Sequence, residues 1–141
     1  MRKILLFFVL TLIATNTYAE KWTKVGTNYY PDNDNPKSWA TSYIDMSSIV
    51  KQDAIVKAKV LVDFKNPWDY HGKGKRYYSS VVRTHFYDCF NEKNITRAVF
   101  YSGNMGEGKT IAIDYAKDEI WSPVELTTIN EKLMRIACDK K

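Results

Sequence analysis

The segment from Gly103 to Thr110 reads GNMGEGKT and matches in full the pattern GxxxxGK[ST] of phosphate-binding loops. In nucleotide-binding proteins such a loop joins a strand to a helix, and its backbone N–H groups cradle the phosphates. Here a strand-like segment precedes the loop, but the residues after it alternate with period two and include Ile111 and Ile113. We therefore predict a hairpin that returns as a strand, does not bind a nucleotide, and uses its glycines for positive φ angles in a tight turn.

The two histidines give little support to catalysis. His85 falls within a long predicted strand, and His71 falls within a loop rich in Gly and Lys. No Ser or Cys nucleophile has a recognisable partner, and no pair of carboxylates has the spacing expected for acid–base catalysis. The sequence therefore predicts a protein that is not an enzyme, with no catalytic residue and no cofactor.

The run Asp32–Asn35 (DNDN) is rich in the oxygen ligands that calcium prefers. It lacks the Gly of a calcium loop, and Pro36 stands where another oxygen ligand is needed. We therefore predict a solvated, turn-rich loop over Asn28–Pro36 and no metal site.

Cys89 and Cys138 are the only cysteines of the chain. Their spacing is not CxxC, and neither has the neighbouring His or Cys residues of a metal site. Two cysteines in an exported chain are most simply explained by one disulfide. We predict that this bond ties a long strand to the last element of the chain.

The N-terminal segment has the features of a secretory signal peptide: a basic start, the apolar run Ile4–Ile13, and a small-x-small cleavage site that ends at Ala19. The apolar run is too short to span a bilayer. We expect residues 1–19 to be removed and residues 20–141 to form one domain. Since no Cys follows the apolar run, we expect a periplasmic, secreted or cell-surface protein without a lipid anchor and without a transmembrane segment.

The formal charge of the 141-residue chain is +5, and part of it lies in the expected signal peptide. This charge density is below that of a dedicated nucleic-acid binder, so we expect no nucleic-acid partner.

Strand-like segments follow one another without an intervening helical pattern. Ala54–Phe64 shows the clearest alternation, with apolar residues on one face and Lys57, Lys59 and Asp63 on the other. The other predicted strands are Lys21–Gly26 with Trp22 buried, Ser38–Asp45 followed by a turn over Met46–Ile49, Arg76–Cys89, Asn94–Ser102 and Lys109–Tyr115.

A helix is predicted at the C-terminus. Ser122-Pro123-Val124-Glu125 has the form of a capping box with Pro at the first helical position. Apolar residues then recur at helical spacing, at Leu126, Ile129, Leu133, Ile136 and Ala137. The predicted fold is α+β, an antiparallel sheet of about six strands with one C-terminal helix tied to it by a disulfide.

The loop Lys65–Lys75 and the next residue bring aromatic and basic side chains close together, namely Trp68, Tyr70, Lys73, Lys75 and Arg76. This composition is enriched at protein interfaces. Two interpretations stay open. Either this loop contacts a partner, or Trp68 folds back to cover the end of the sheet and the lysines are solvated.

The order of several short segments resembles the surface-adhesin protein E family of small exported bacterial proteins. In chain order these segments are Tyr43-Ile44-Asp45 with Ser48-Ile49, Val60–Asp63, Asp88-Cys89, Tyr101-Ser102 before the Gly106/Gly108 turn, Trp121-Ser122-Pro123, and Cys138. The resemblance implies an antiparallel sheet with a disulfide-linked C-terminal helix, and a role as an adhesin that binds host extracellular proteins.

We therefore expect an exported, non-enzymatic binding protein whose partner is a host extracellular matrix protein or another envelope component. The alternative is a periplasmic carrier of a small ligand or an inhibitor of a secreted hydrolase, because a sheet curved over a helix leaves room for a groove.

Overall fold

Strand β3 (Ile55–Asp69) lies in the middle of the sheet in the computed structural model, which describes residues 22–30, 38–72, 74–115 and 120–140. The predicted alternation is confirmed over most of its length. Lys57 and Lys59 are exposed, and the residues that alternate with them on the other face are buried, namely Val56, Ala58, Val60, Val62 and Phe64. Ala54 precedes the strand and is exposed.

Within the described ranges, seven antiparallel strands form one sheet. The other six are β1 (Trp22–Tyr30), β2 (Ser38–Gln52), β4 (Tyr77–Asp88), β5 (Lys93–Tyr101), β6 (Thr110–Asp114) and β7 (Ser122–Pro123). Strands β1 to β6 lie side by side in chain order, and the two-residue strand β7 pairs with β5 beyond the end of β6. The predicted antiparallel sheet is thus confirmed, and β7 is an addition that the sequence did not reveal.

Helix α1 (Ile129–Asp139) packs on the face of the sheet that carries Val60 and Val62, which we call the helix-covered face. Its buried side chains are Leu133, Met134 and Ala137. We call the opposite side, which carries Ile55 and Lys57, the open face. An antiparallel sheet with one covered and one open face requires the period-two pattern seen in β3.

The predicted start of the helix was wrong. Ser122 and Pro123 form β7, and the helix is capped by Thr128, whose Oγ1 accepts the Glu131 N–H at 3.2 Å. Glu131 Oε2 in turn accepts the Thr127 N–H at 2.7 Å. The chain contains two similar capping patterns six residues apart, and proline is tolerated in the first because β7 is a short edge strand. Leu126 therefore lies outside the helix and is exposed.

The predicted disulfide is confirmed. Cys89 Sγ and Cys138 Sγ are 2.05 Å apart, and the bond closes a sequence separation of 49 residues. It links the residue after β4 to the last turn of α1. In the chain-entropy model a loop of this length stabilises the folded state by about 4 kcal/mol.

Three strands are longer than predicted. Strand β1 continues to Tyr30, and its buried residue is Val25, whereas Trp22 is only half-buried. Strand β2 continues through the predicted turn to Gln52 because a bulge after Asp45 keeps the chain paired. Asp45 Oδ1 accepts the Ser47 N–H at 2.9 Å, and this bond holds the bulge.

Strand β3 is the third strand that is longer than predicted. It continues through Pro67 to Asp69 after an irregularity in its register with β4. The predicted loop over Lys65–Lys75 was therefore wrong in its first half. The predicted signal peptide, residues 1–19, and the run Asp32–Asn35 lie outside the described residues.

Candidate functional site

The loop between β3 and β4 is short and closed by its own backbone. Tyr70–Gly72 forms a single 3₁₀ turn, and the Tyr70 N–H donates to Arg76 O at 2.7 Å. The Gly74 N–H donates to the Asp69 carboxylate. Lys73 lies outside the described residues. The loop therefore presents two exposed basic residues, Lys75 and Arg76, just before β4 begins.

Trp68 and Tyr70 turn towards the sheet. The ring of Trp68 lies 4.9 Å from that of Phe64 and 5.7 Å from that of Tyr30. The ring of Tyr70 lies 4.9 Å from that of Phe100, and the Arg76 guanidinium lies over the Tyr70 ring, 4.9 Å from its centre. Both aromatic residues are half-buried and belong to the edge of the core. This packing favours the interpretation in which Trp68 covers the end of the sheet, and partner contact by this loop stays a prediction.

The glycine-rich loop that resembles a phosphate site folds over the open face. Met105 N–H donates to Asp63 Oδ1 at 2.7 Å, and Gly106 N–H donates to Ser80 Oγ at 2.9 Å. N–H groups that would cradle a phosphate are therefore bonded to protein side chains, one of them an aspartate. The residues that follow form β6, so the predicted hairpin is confirmed.

Gly106 and Gly108 explain the glycine pattern of this loop. Their φ angles are +78° and +83°, a region that other residues rarely adopt. A Cβ on Gly108 would also lie 2.9 Å from the backbone nitrogen of Gly103. The prediction that glycines provide positive φ in a tight turn is confirmed at these two positions.

His85 is a buried sheet residue. Its Nδ1 lies 3.2 Å from Asn94 Nδ2 and 3.0 Å from Thr96 Oγ1, both on the neighbouring strand. Burial, assisted by the positive charge of Arg83, lowers the pKa of His85 to about 3, so the ring is neutral at physiological pH. His71 lies exposed in the 3₁₀ turn, with its ring against Tyr70.

In the described ranges, no three His, Cys, Asp or Glu residues lie close enough together to hold a metal ion.

A groove that sequence reasoning missed crosses the open face at the end of the sheet where β3 begins. It consists of two adjoining cavities of about 440 Å³ and about 150 Å³ that share Ile55 and Phe86. We call it the open-face groove and define it by seven residues: Val50, Ile55, Lys57, Phe86, Ile95, Arg97 and Trp121.

The walls of the open-face groove are apolar and its rim is charged. Trp121 is 37% exposed and Val50 is 52% exposed, so apolar surface faces solvent here. Arg97 places its guanidinium 5.2 Å from the centre of the Phe86 ring. An aromatic floor with an arginine beside it has the composition of a protein-interface centre.

Long-range strand pairing builds this groove. Phe86 is opposite Lys57 on one side and opposite Ile95 on the other. Trp121 immediately precedes β7, whose pairing with the first residues of β5 brings the indole beside Ile95. One sequence signal was available: Ile55, Phe86 and Ile95 are apolar at positions that the alternation assigns to the solvent side.

The open-face groove and the predicted partner loop are separate surfaces. The groove lies at the Ile55 end of β3 and the loop follows Asp69 at its other end. A strand of this length spans roughly 45 Å. One partner residue cannot contact both surfaces, so their contributions to binding can be measured separately.

None of the helices within the described ranges has the length and apolar character needed to cross a bilayer.

Several solved structures have a similar fold. Crystal form II of Haemophilus influenzae protein E is 24% identical, with a TM-score of 0.56 over 69% of this chain and 79% of that one. A second structure of Haemophilus influenzae protein E is also 24% identical, with a TM-score of 0.55 over 69% of this chain and 76% of that one. At this identity the likeness shows a shared fold.

A family model described as surface-adhesin protein E matches residues 22–139. No curated protein sequence matches the chain significantly. Because the family match spans the chain from the first residue of β1 to the last residue of α1, this protein belongs to the surface-adhesin protein E family.

Proposed function

We propose that this protein is an exported, non-enzymatic member of its adhesin family, and that it contacts a host extracellular protein or another envelope component through the open-face groove. Membership of a family of surface adhesins supports a binding role and an exported or surface location. The neutral, hydrogen-bonded state of His85 and the exposed position of His71 support the absence of catalysis.

The observation that carries this proposal is the exposed apolar surface of the groove. Trp121, Phe86 and Val50 offer a place for one or two apolar side chains of a partner. Burying a Leu or Phe side chain contributes about 1.5–3 kcal/mol to association. The shape and composition of the groove thus supply an anchor, which the half-buried Trp68 does not.

The charges around the groove indicate the chemistry of the partner. Among the described residues, Lys57 and Arg97 line it together with one carboxylate, that of Asp53. A partner segment with an apolar residue flanked by Asp or Glu fits this balance, since complementary charge favours encounter and fixes orientation. On the separate loop, exposed Lys75 and Arg76 form a second, purely charged contact surface in this proposal.

The experiment compares adsorption of labelled, disulfide-bonded protein to immobilised extracellular matrix and to isolated bacterial envelopes. The groove variants are Trp121→Ala and Val50→Glu. The matched control is Trp39→Ala, which removes an indole that is 51% exposed on β2 and is paired with Tyr29, away from the groove.

We expect saturable adsorption of the wild-type protein to one of the two surfaces. Both groove variants should weaken it by about tenfold or more, which corresponds to a loss of about 1.4 kcal/mol. The Trp39→Ala protein should bind within about twofold of wild type. Folded groove variants that adsorb as well as wild type would contradict the proposal, as would absence of saturable binding to either surface.

A further inference from the structure

A cavity of about 140 Å³ lies between the first turn of α1 and the helix-covered face of the sheet. Its floor is formed by Val60 and Val62 of β3, and polar side chains from β1, β2 and β4 surround it. It is partly open to solvent. A polar space of this size can admit several waters or one small polar ligand.

Among the described residues that line this cavity, Arg83 is the only charged one. Its side chain is half-buried, and no hydrogen bond or ion pair connects its guanidinium to the described residues. A guanidinium partly removed from water needs a negatively charged or hydrogen-bonding partner, and the described lining residues include no carboxylate.

His85 contributes its imidazole ring to the same cavity. An amide nitrogen can only donate, so the 3.2 Å contact between Asn94 Nδ2 and His85 Nδ1 favours the neutral tautomer that carries its proton on Nε2. Because His85 and Arg83 are two residues apart on β4, both side chains lie on the helix-covered face, and both line the cavity.

Residues at the start of α1 complete the cavity wall. Asn130 is held in place by the Tyr87 hydroxyl, which donates to Asn130 Oδ1 at 3.0 Å. The N–H groups of Ile129 and Asn130 belong to the first turn, which has no intrahelical acceptors for them. The helix end strengthens a positive potential that Arg83 already provides.

We propose that this cavity binds a small anion, a carboxylate or phosphate group whose oxygens accept hydrogen bonds from Arg83 and from His85 Nε2–H. A planar guanidinium recognises either group with two parallel bonds. The proposal does not depend on partner binding at the open-face groove, because the cavity lies on the opposite face of the sheet.

The test is an NMR titration of the ¹⁵N-labelled, disulfide-bonded protein with sodium phosphate and, separately, with sodium acetate. Sodium chloride at equal ionic strength is the reference. The variants are Arg83→Gln, which removes the proposed anchor, and Arg83→Lys, which keeps the charge but not the planar fork. Lys24→Gln removes one exposed positive charge from β1, outside the open-face groove, and serves as the control.

We expect saturable shifts that centre on Arg83, His85, Ile129 and Asn130. Saturation by phosphate alone identifies a phosphate-type ligand, and saturation by acetate identifies a carboxylate. Arg83→Gln should weaken binding by about tenfold or more, Arg83→Lys by less, and Lys24→Gln by under about twofold. The proposal is overturned if neither anion gives localised, saturable shifts in the wild-type protein, or if folded Arg83→Gln binds as tightly.

Discussion

The carboxylate of Asp63 accepts the backbone N–H of Met105 at 2.7 Å, across a sequence separation of 42 residues. The same oxygen accepts Asn104 Nδ2 at 3.1 Å. One side chain of β3 thus fixes the glycine-rich loop on the open face. The sequence of this loop matches a phosphate-binding pattern, but the loop packs on the open face and is hydrogen-bonded to the sheet.

Replacing Asp63 with Ala should loosen this loop. Two donors lose their acceptor, so we expect the free energy of unfolding to fall by about 1–2 kcal/mol and amide exchange at Met105 to accelerate. Asp114→Ala, which removes an exposed carboxylate from β6, is the control and should change neither quantity appreciably. Unchanged exchange at Met105 in the Asp63→Ala protein would show that Asp63 does not hold the loop.

The helix cap provides a second prediction, in which two candidate positions are compared. Thr128→Ala removes the acceptor of the Glu131 N–H and should lower the free energy of unfolding in urea by about 1 kcal/mol. Ser122→Ala changes the residue that the first capping pattern would use, and since Ser122 lies exposed in β7 the cost should stay below about 0.5 kcal/mol. If Ser122→Ala lowered the free energy of unfolding more than Thr128→Ala, the helix would start at the capping pattern that begins with Ser122.

The buried histidine predicts a dependence of stability on pH. The pKa of His85 is about 3 in the folded protein, against about 6.5 in an unfolded chain. Between these values the unfolded chain binds a proton that the folded protein does not. The free energy of unfolding should therefore fall as the pH drops through this window, by up to about 1.4 kcal/mol per unit.

Urea unfolding between about pH 7 and pH 4 measures this slope. The His85→Gln variant should lose this component of the acid sensitivity, and His71→Gln, which changes the exposed histidine, should retain it. Equal slopes for wild type and His85→Gln would mean that His85 is not kept neutral by the fold.

Trp68 distinguishes the two interpretations of the loop between β3 and β4. Because its ring packs on Phe64 and Tyr30, Trp68→Ala should lower the free energy of unfolding by about 2–3 kcal/mol, somewhat less than a fully buried Trp. Lys75→Ala, which removes an exposed side chain just before β4, should change it by less than about 0.5 kcal/mol. A Trp68→Ala protein of wild-type stability that no longer adsorbs to matrix or envelopes would instead support partner contact by this loop.

The parts of the fold that the sequence predicted are those governed by local periodicity. Alternation identified β3 and β6, and the lack of Gly or Pro over Arg76–Cys89 identified β4. Two cysteines in a chain that begins with the features of a signal peptide identified the disulfide. In each of these cases the decisive residues are close in sequence or unique in type.

The parts that could not be predicted depend on pairing between distant residues. Bulges carry β2 past Asp45 and β3 past Asp63, and whether a strand stays paired beyond a bulge depends on the strand beside it. From the sequence alone Pro123 is typical of the first residue of a helix, and only its pairing with Lys93 shows that it belongs to a strand. The open-face groove has the same origin, because Trp121 reaches Phe86 and Ile95 only through β7.

Oxidative footprinting of the protein while it is adsorbed to the surface that it binds tests most directly whether the open-face groove is the binding surface. We expect Trp121 and Phe86 to become protected, while Trp39 and Tyr29 keep the reactivity of the free protein. Protection of Trp39, or of the loop from Trp68 to Arg76, without protection of Trp121 and Phe86 would contradict it.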